Sequence, residues 1–329
     1  MTITEVILTR QIELNNNWPE IIDVETEALN HIRERLSEIG VSQIMAPVKI
    51  NSEAAFNTLS KDKQLAKIFS AFLDTYDMLP LHPDWAFDAV WRTLEYSIRL
   101  YANRAWGYTK DKPLDDIFAK ISAEVVAAIV AKETALERAF TNLLSNTSIS
   151  AAQYMTYRIF FEKQLSVAPQ LEFVKARTES IVQKELLADL RSYYSDGNAN
   201  MDTAAVRDVA RRLIRLFQGL DVQVGNNTYK PMPFKDRIEM LLSIMLYTSR
   251  CERFHGDIYS PFKSSKTKLT TYYEYYFLTL CSIIVFWILF YKLIERGGQE
   301  LTQCVDFNNL ESAINISIER MNTVLSNKQ

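Results

Sequence analysis

Residues 275–291 read YYFLTLCSIIVFWILFY, a stretch without one charged side chain. As an α-helix, about seventeen residues rise ~25 Å, short of the ~30 Å hydrocarbon core of a bilayer. Glu274 and Lys292 flank it closely, and Thr279, Ser282 and the tyrosines dilute its apolar character. A helix buried on all sides in a protein core has the same composition. Length favours this second reading over a membrane span, so the stretch is expected to be the central helix of a bundle.

The rest of the chain agrees with an all-α, multi-helix bundle. Only 8 Gly and 9 Pro occur in 329 residues, too few for the turn-dense sequence of a β-sandwich or barrel. Apolar positions recur with a helical period nearly everywhere. The spacing predicts helices over 20–39, ended by Gly40, and one or two over 51–79, stopped by Pro80 and Pro83. Asp84 is expected to cap a helix over 85–106, whose Trp85, Val90, Trp91, Leu94 and Ile98 repeat at helical spacing. Trp85, Trp91 and Trp106 are accordingly expected in the core rather than as a base-stacking platform.

A long helix over 113–144 carries acids in its first turn, where the helix dipole favours them. Further helices are expected over about 150–167 and 170–193, then one capped by Asp202 or Thr203. A short hairpin is expected around Gly225-Asn226. Helices over 234–254, 271–296 (closed by Gly297-Gly298) and 308–325 complete the set. Two regions follow: an N-terminal helical region, 1–150, and a C-terminal helical domain, 151–329, with a boundary near 196 equally defensible.

Net charge is −3, so any polyanion site has to be a local patch. Cys251, Cys281 and Cys304 lack C-x-x-C spacing, which suits a reducing, cytoplasmic setting better than a disulfide framework or a zinc site. The N-terminus shows no basic segment followed by an apolar run, hence no secretory signal.

Chemistry has few places to reside. There are three histidines. His31 lies on a helix without a second ligand at i+3 or i+4, and His82 sits in a turn before Pro83. No metal-ligand cluster, glycine-rich phosphate loop or nucleophile elbow is present, so no metal or cofactor is expected. His255 differs. In SRCERFHGDIYSPFKSSKTK (249–268) it follows Arg250 by five residues, at the end of an apolar helix, with Gly256 placed to leave that helix. Lys263, Lys266 and Lys268 then occupy a Ser/Thr-rich loop able to cradle a phosphate backbone.

The segment LYTSRCERFHGDIYSPFKSS (246–265), between two apolar helices, resembles the HEPN family, all-α domains marked by an Arg-x4-6-His motif. The resemblance covers roughly 202–325. It implies that Arg250 and His255 are the catalytic pair of a metal-independent endoribonuclease, serving prokaryotic defence or toxicity. It also implies RNA as substrate, a homodimer with a composite active site, and an antitoxin or sensor as a further partner. Glu252 and Arg253 are auxiliary candidates. Where the family often has Asn or Asp beside the arginine, this chain has Cys251 and then Glu252, and a carboxylate there would repel a phosphate unless paired or protonated. The rival readings are a binding module that keeps the motif without chemistry, and a membrane-associated effector using 275–291.

Overall fold

The computed structural model describes residues 27–132, 134–160, 168–194, 203–254, 262, 267–296 and 305–325. Within them the chain is an all-α bundle with one small hairpin. The charge-free stretch lies inside the longest helix, α13 (Leu269–Arg296), which is the hub. Every side chain from Tyr275 to Tyr291 is buried, and 94% of the most apolar window lies within the fold. Such burial on all sides leaves no amphipathic stripe to detect and produces the membrane-like composition.

Leading up to that hub, α1 (Glu27–Glu38) ends at Gly40, whose φ of 68° is the left-handed exit expected of it. Next, α2 (Ser52–Leu59) is capped by Asn51, and α3 (Lys63–Asp77) by Asp62, whose carboxylate accepts from the Gln64 and Leu65 N–H groups at 2.9 and 3.2 Å. Then α4 (Pro83–Trp106) starts with Pro83 at its first position and closes on Gly107. His82, not Asp84, occupies its N-cap. Asp84 is instead fully buried in the first turn and paired with an arginine far along the chain.

Helix α4 lies along α13 more extensively than any other pair of helices. Its Phe87, Val90, Trp91, Leu94 and Ile98 are all buried there. Phe72 of α3 stacks on Phe286 of α13 at 4.2 Å, wedged edge-on against Trp287. Of the three tryptophans expected in the core, Trp91 is fully buried, and Trp106 is half-buried, edge-on to Tyr101. Trp85 remains 42% exposed. Its position on α4 turns away from the buried face, which periodicity over the whole helix does not distinguish.

The sequence expected to be helical over 113–144 is helical over Asp115–Lys132 (α5) and Thr134–Ser145 (α6), residue 133 lying outside the described residues. These are followed by α7 (Ile149–Phe160), α8 (Ala168–Ile181), α9 (Lys184–Tyr194) and α10 (Thr203–Gln218). The single helix expected over 170–193 is therefore two, parted at Val182-Gln183. Strands β1 (Val222–Val224) and β2 (Asn227–Tyr229) pair antiparallel around Gly225-Asn226, as expected. Gly225 takes a φ of 55° in that turn.

The helix expected over 234–254 is present with one unanticipated feature. It runs as α11 (Phe234–Met240), a π-helical segment (Leu241–Leu246) and α12 (Tyr247–Phe254). After α13, α14 (Phe307–Val324) packs against α6 and α1, with Asp306 as its cap. The apolar core is continuous across residue 150.

Candidate active site at the end of α12

The π segment is wholly buried. It widens the helix by about one residue, turning everything after it relative to α11. The motif residues of α12 are thereby distributed between two neighbours, α4 and α7.

Arg253 and Arg250 face α4. Arg253 is 7% exposed and fully engaged. Its Nε and one Nη donate to the two carboxylate oxygens of Asp88 at 2.8 and 2.6 Å. The same Nη reaches Asp84 at 3.2 Å, and the other donates to the Tyr275 hydroxyl at 3.3 Å. Burial opposes this charge, but Asp88, Tyr275 and Asp84 together hold the guanidinium above its ordinary pKa. Arg253 thus clamps α12 onto α4 and α13.

Arg250 is bound less completely. One Nη lies 3.2 Å from Oε2 of Glu95, whose Oε1 accepts from Arg99 at 3.2 and 3.1 Å. The guanidinium lies over the Phe254 ring at 4.3 Å, and the side chain is 22% exposed. Among the described residues its Nε has no hydrogen-bond partner. Beside it, burial pushes the Cys251 thiol above its ordinary pKa against the pull of Arg250, which disfavours a thiolate nucleophile.

Glu252 points the other way, to α7. Arg158 grips it bidentately, Nε and Nη2 each 2.5 Å from one carboxylate oxygen, both side chains being almost buried. The Arg158 guanidinium in turn covers the Tyr154 ring at 3.5 Å. The repulsion a free Glu252 would exert on a phosphate is therefore offset by a cation held against it.

Glu274, in the first turns of α13, is close enough to Arg158 to feel its charge. Burial pushes its carboxyl up to about 7, against the pull of Arg158. A raised carboxyl favours the folded state most below its ordinary 4.5, and that contribution is lost as pH rises through about 7. Glu274→Gln is expected to stabilise the protein above pH 7 by on the order of 1–2 kcal/mol, after allowance for partial solvent screening. It should have little effect below pH 4.5. Denaturant unfolding at the two ends of this range checks it, and equal shifts at both would refute it.

Lys268 is exposed at the entry to α13. Phe262 is buried edge-on against Tyr272 and Tyr275. His255, Gly256, Lys263 and Lys266 lie outside the described residues, as do Asp202, Gly297, Gly298 and Cys304. The structure thus brings Arg250, Glu252 and Arg253 to one helix end but gives them separate partners. The partners themselves (Asp84, Asp88, Glu95, Arg158) escaped sequence reasoning. Glu252 stands 94 residues from Arg158, and Arg253 stands 169 residues from Asp84, so no local period links them. Among the described residues no group of three or more His, Cys, Asp or Glu side chains is arranged to hold a metal ion.

No protein-family model, curated protein or solved structure matches the chain.

Proposed function

We propose that the chain is a metal-independent endoribonuclease of the Arg-x4-6-His type, acting as a cytoplasmic defence or toxin effector. The observation that carries this reading is the contrast between the two arginines of α12. Arg253, 7% exposed, commits its donors to Asp84, Asp88 and the Tyr275 hydroxyl, whereas Arg250, 22% exposed, has one carboxylate partner, Glu95, among the described residues.

RNA brings its own nucleophile. The 2′-hydroxyl attacks phosphorus, its proton passes to a base, and the bond to the 5′-oxygen breaks as an acid protonates that oxygen. The products are a 2′,3′-cyclic phosphate and a 5′-hydroxyl. Histidine can serve as either partner near neutral pH, and a guanidinium fork matches the phosphoryl oxygens as charge builds on them. One His255 cannot conveniently act on both sides of the phosphorus. Five residues of regular helix would also set Arg250 and His255 about 140° apart. A two-fold pair of chains, sharing two histidines and two arginines around one phosphate, meets both difficulties.

One observation favours the rival reading of a binding module without chemistry: Glu95 already neutralises Arg250. Incubating RNA with wild type and with His255→Ala in the presence of a chelator, then analysing end groups, separates the two. Cleavage to cyclic-phosphate ends, lowered about 10²–10⁴-fold in the variant, is the expected outcome. Equal cleavage in both proteins, or none in either, removes the nuclease reading.

A further inference from the structure

We infer that the groove between α3 and α4 is a binding track for single-stranded RNA, with Tyr96 as the stacking surface for a base and Lys67 and Arg92 as its phosphate contacts. The direction of the track, towards Arg250, rests on the ribonuclease reading; the binding itself does not.

The groove encloses about 470 Å³ and is walled by Lys67, Ile68 and Ala71 of α3 and by Arg92, Thr93 and Tyr96 of α4. From Pro83 to Ala102 the exposed positions of α4 are Trp85, Arg92 and Tyr96. At about 100° per residue these three fall within roughly 40° of arc, so they form a single aromatic–cation–aromatic stripe. Tyr96 is 47% exposed, and Trp85 is 42% exposed with its ring stacked on His82 at 4.4 Å. A large aromatic left half in water on an otherwise well-buried helix is unfavourable for folding and useful for stacking, because every base offers a π-face.

Charge selects the partner. Among the described residues neither Lys67 nor Arg92 makes an ion pair, and the Arg92 Nε reaches only the Asp88 carbonyl, at 3.4 Å. One carboxylate, Asp74, also lines the groove. The helices run antiparallel, as the Arg104–Asp62 ion pair at 2.9 Å requires; counted from that pair, Lys67 lies at the Tyr96 end of the groove and Asp74 about level with Arg92, whose charge it partly offsets. Cations bracketing an exposed tyrosine fit a phosphate backbone better than an apolar protein segment. Glu95, which holds Arg250, precedes Tyr96 and lies about 100° round α4 from it, so a strand on the track would turn about that helix to reach the proposed active site.

The test is fluorescence anisotropy with a labelled 2′-O-methyl oligouridine of about twelve nucleotides, a length within the span of single-strand sites and resistant to 2′-OH chemistry. Wild type is expected to bind it. Tyr96→Ala should weaken binding about tenfold while Tyr96→Phe retains it, and Tyr96 is exposed enough for both variants to fold. Lys67→Gln with Arg92→Gln should flatten the logarithmic salt dependence, by about 0.7 in slope for each phosphate no longer neutralised. Asp74→Asn should tighten binding. Failure of wild type to bind, or wild-type affinity in Tyr96→Ala, overturns the track. Groove binding without RNA cleavage would remove the nuclease reading and leave the track standing. Unimpaired cleavage of natural RNA by Tyr96→Ala would do the reverse.

Discussion

Arg253→Ala is expected to destabilise the protein by about 3–5 kcal/mol. The size follows from what would remain. Asp84 is fully buried and Asp88 largely so, and Arg253 neutralises both. Without it, the two carboxylates would have no counter-ion among the described residues, and the Tyr275 hydroxyl would lose its donor. Breaking a buried pair by removing one partner leaves uncompensated charge in the bundle, which is the main source of the loss. Asp84→Asn with Asp88→Asn, added to Arg253→Ala, should recover part of the stability, because the main penalty lies in the orphaned charges rather than in the missing hydrogen bonds. Urea unfolding of the single and triple variants measures this. A single variant within about 1 kcal/mol of wild type would show that water reaches the cluster and that Arg253 is no clamp.

The same cluster marks where sequence reasoning stopped. The central helix, the hairpin at Gly225-Asn226 and the exit at Gly40 follow from local rules: composition, turn chemistry and glycine's access to positive φ. Asp84 satisfies the local rule for a helix cap, but a partner 169 residues away claims it, and Pro83 sets the helix start instead. Glu252 looks like a liability beside a phosphate site until Arg158 is brought against it by the packing of α7. The π segment leaves no periodic signal, because all of its residues are buried and all but Ser243 are apolar. Trp85 shares the spacing of core residues but sits on the exposed stripe of α4. In each case long-range packing decides between outcomes that propensity leaves equal.

Arg250→Lys is expected to lower RNA cleavage by about 10²–10³-fold with little change in stability. The catalytic part of the expectation comes from geometry: a lysine keeps the charge but loses the planar pair of donors that matches two phosphoryl oxygens, and removal of one such donor typically costs this much. The stability part comes from exposure. The Arg250–Glu95 pair is about one-fifth exposed on each side, and Glu95 keeps Arg99 when Arg250 changes, so the change should be worth no more than ~1 kcal/mol. Loss of activity in a protein that melts normally would then point to the phosphate and not to the fold. Glu95→Gln supplies the complementary measurement. A neutral amide still accepts from Arg99 but releases the charge on Arg250, so cleavage should be maintained or raised and its dependence on Arg250 preserved. If Arg250 serves only to hold α12 on α4, Arg250→Lys, which can still pair with Glu95, leaves cleavage unchanged, and the nuclease chemistry has to be sought elsewhere in the molecule.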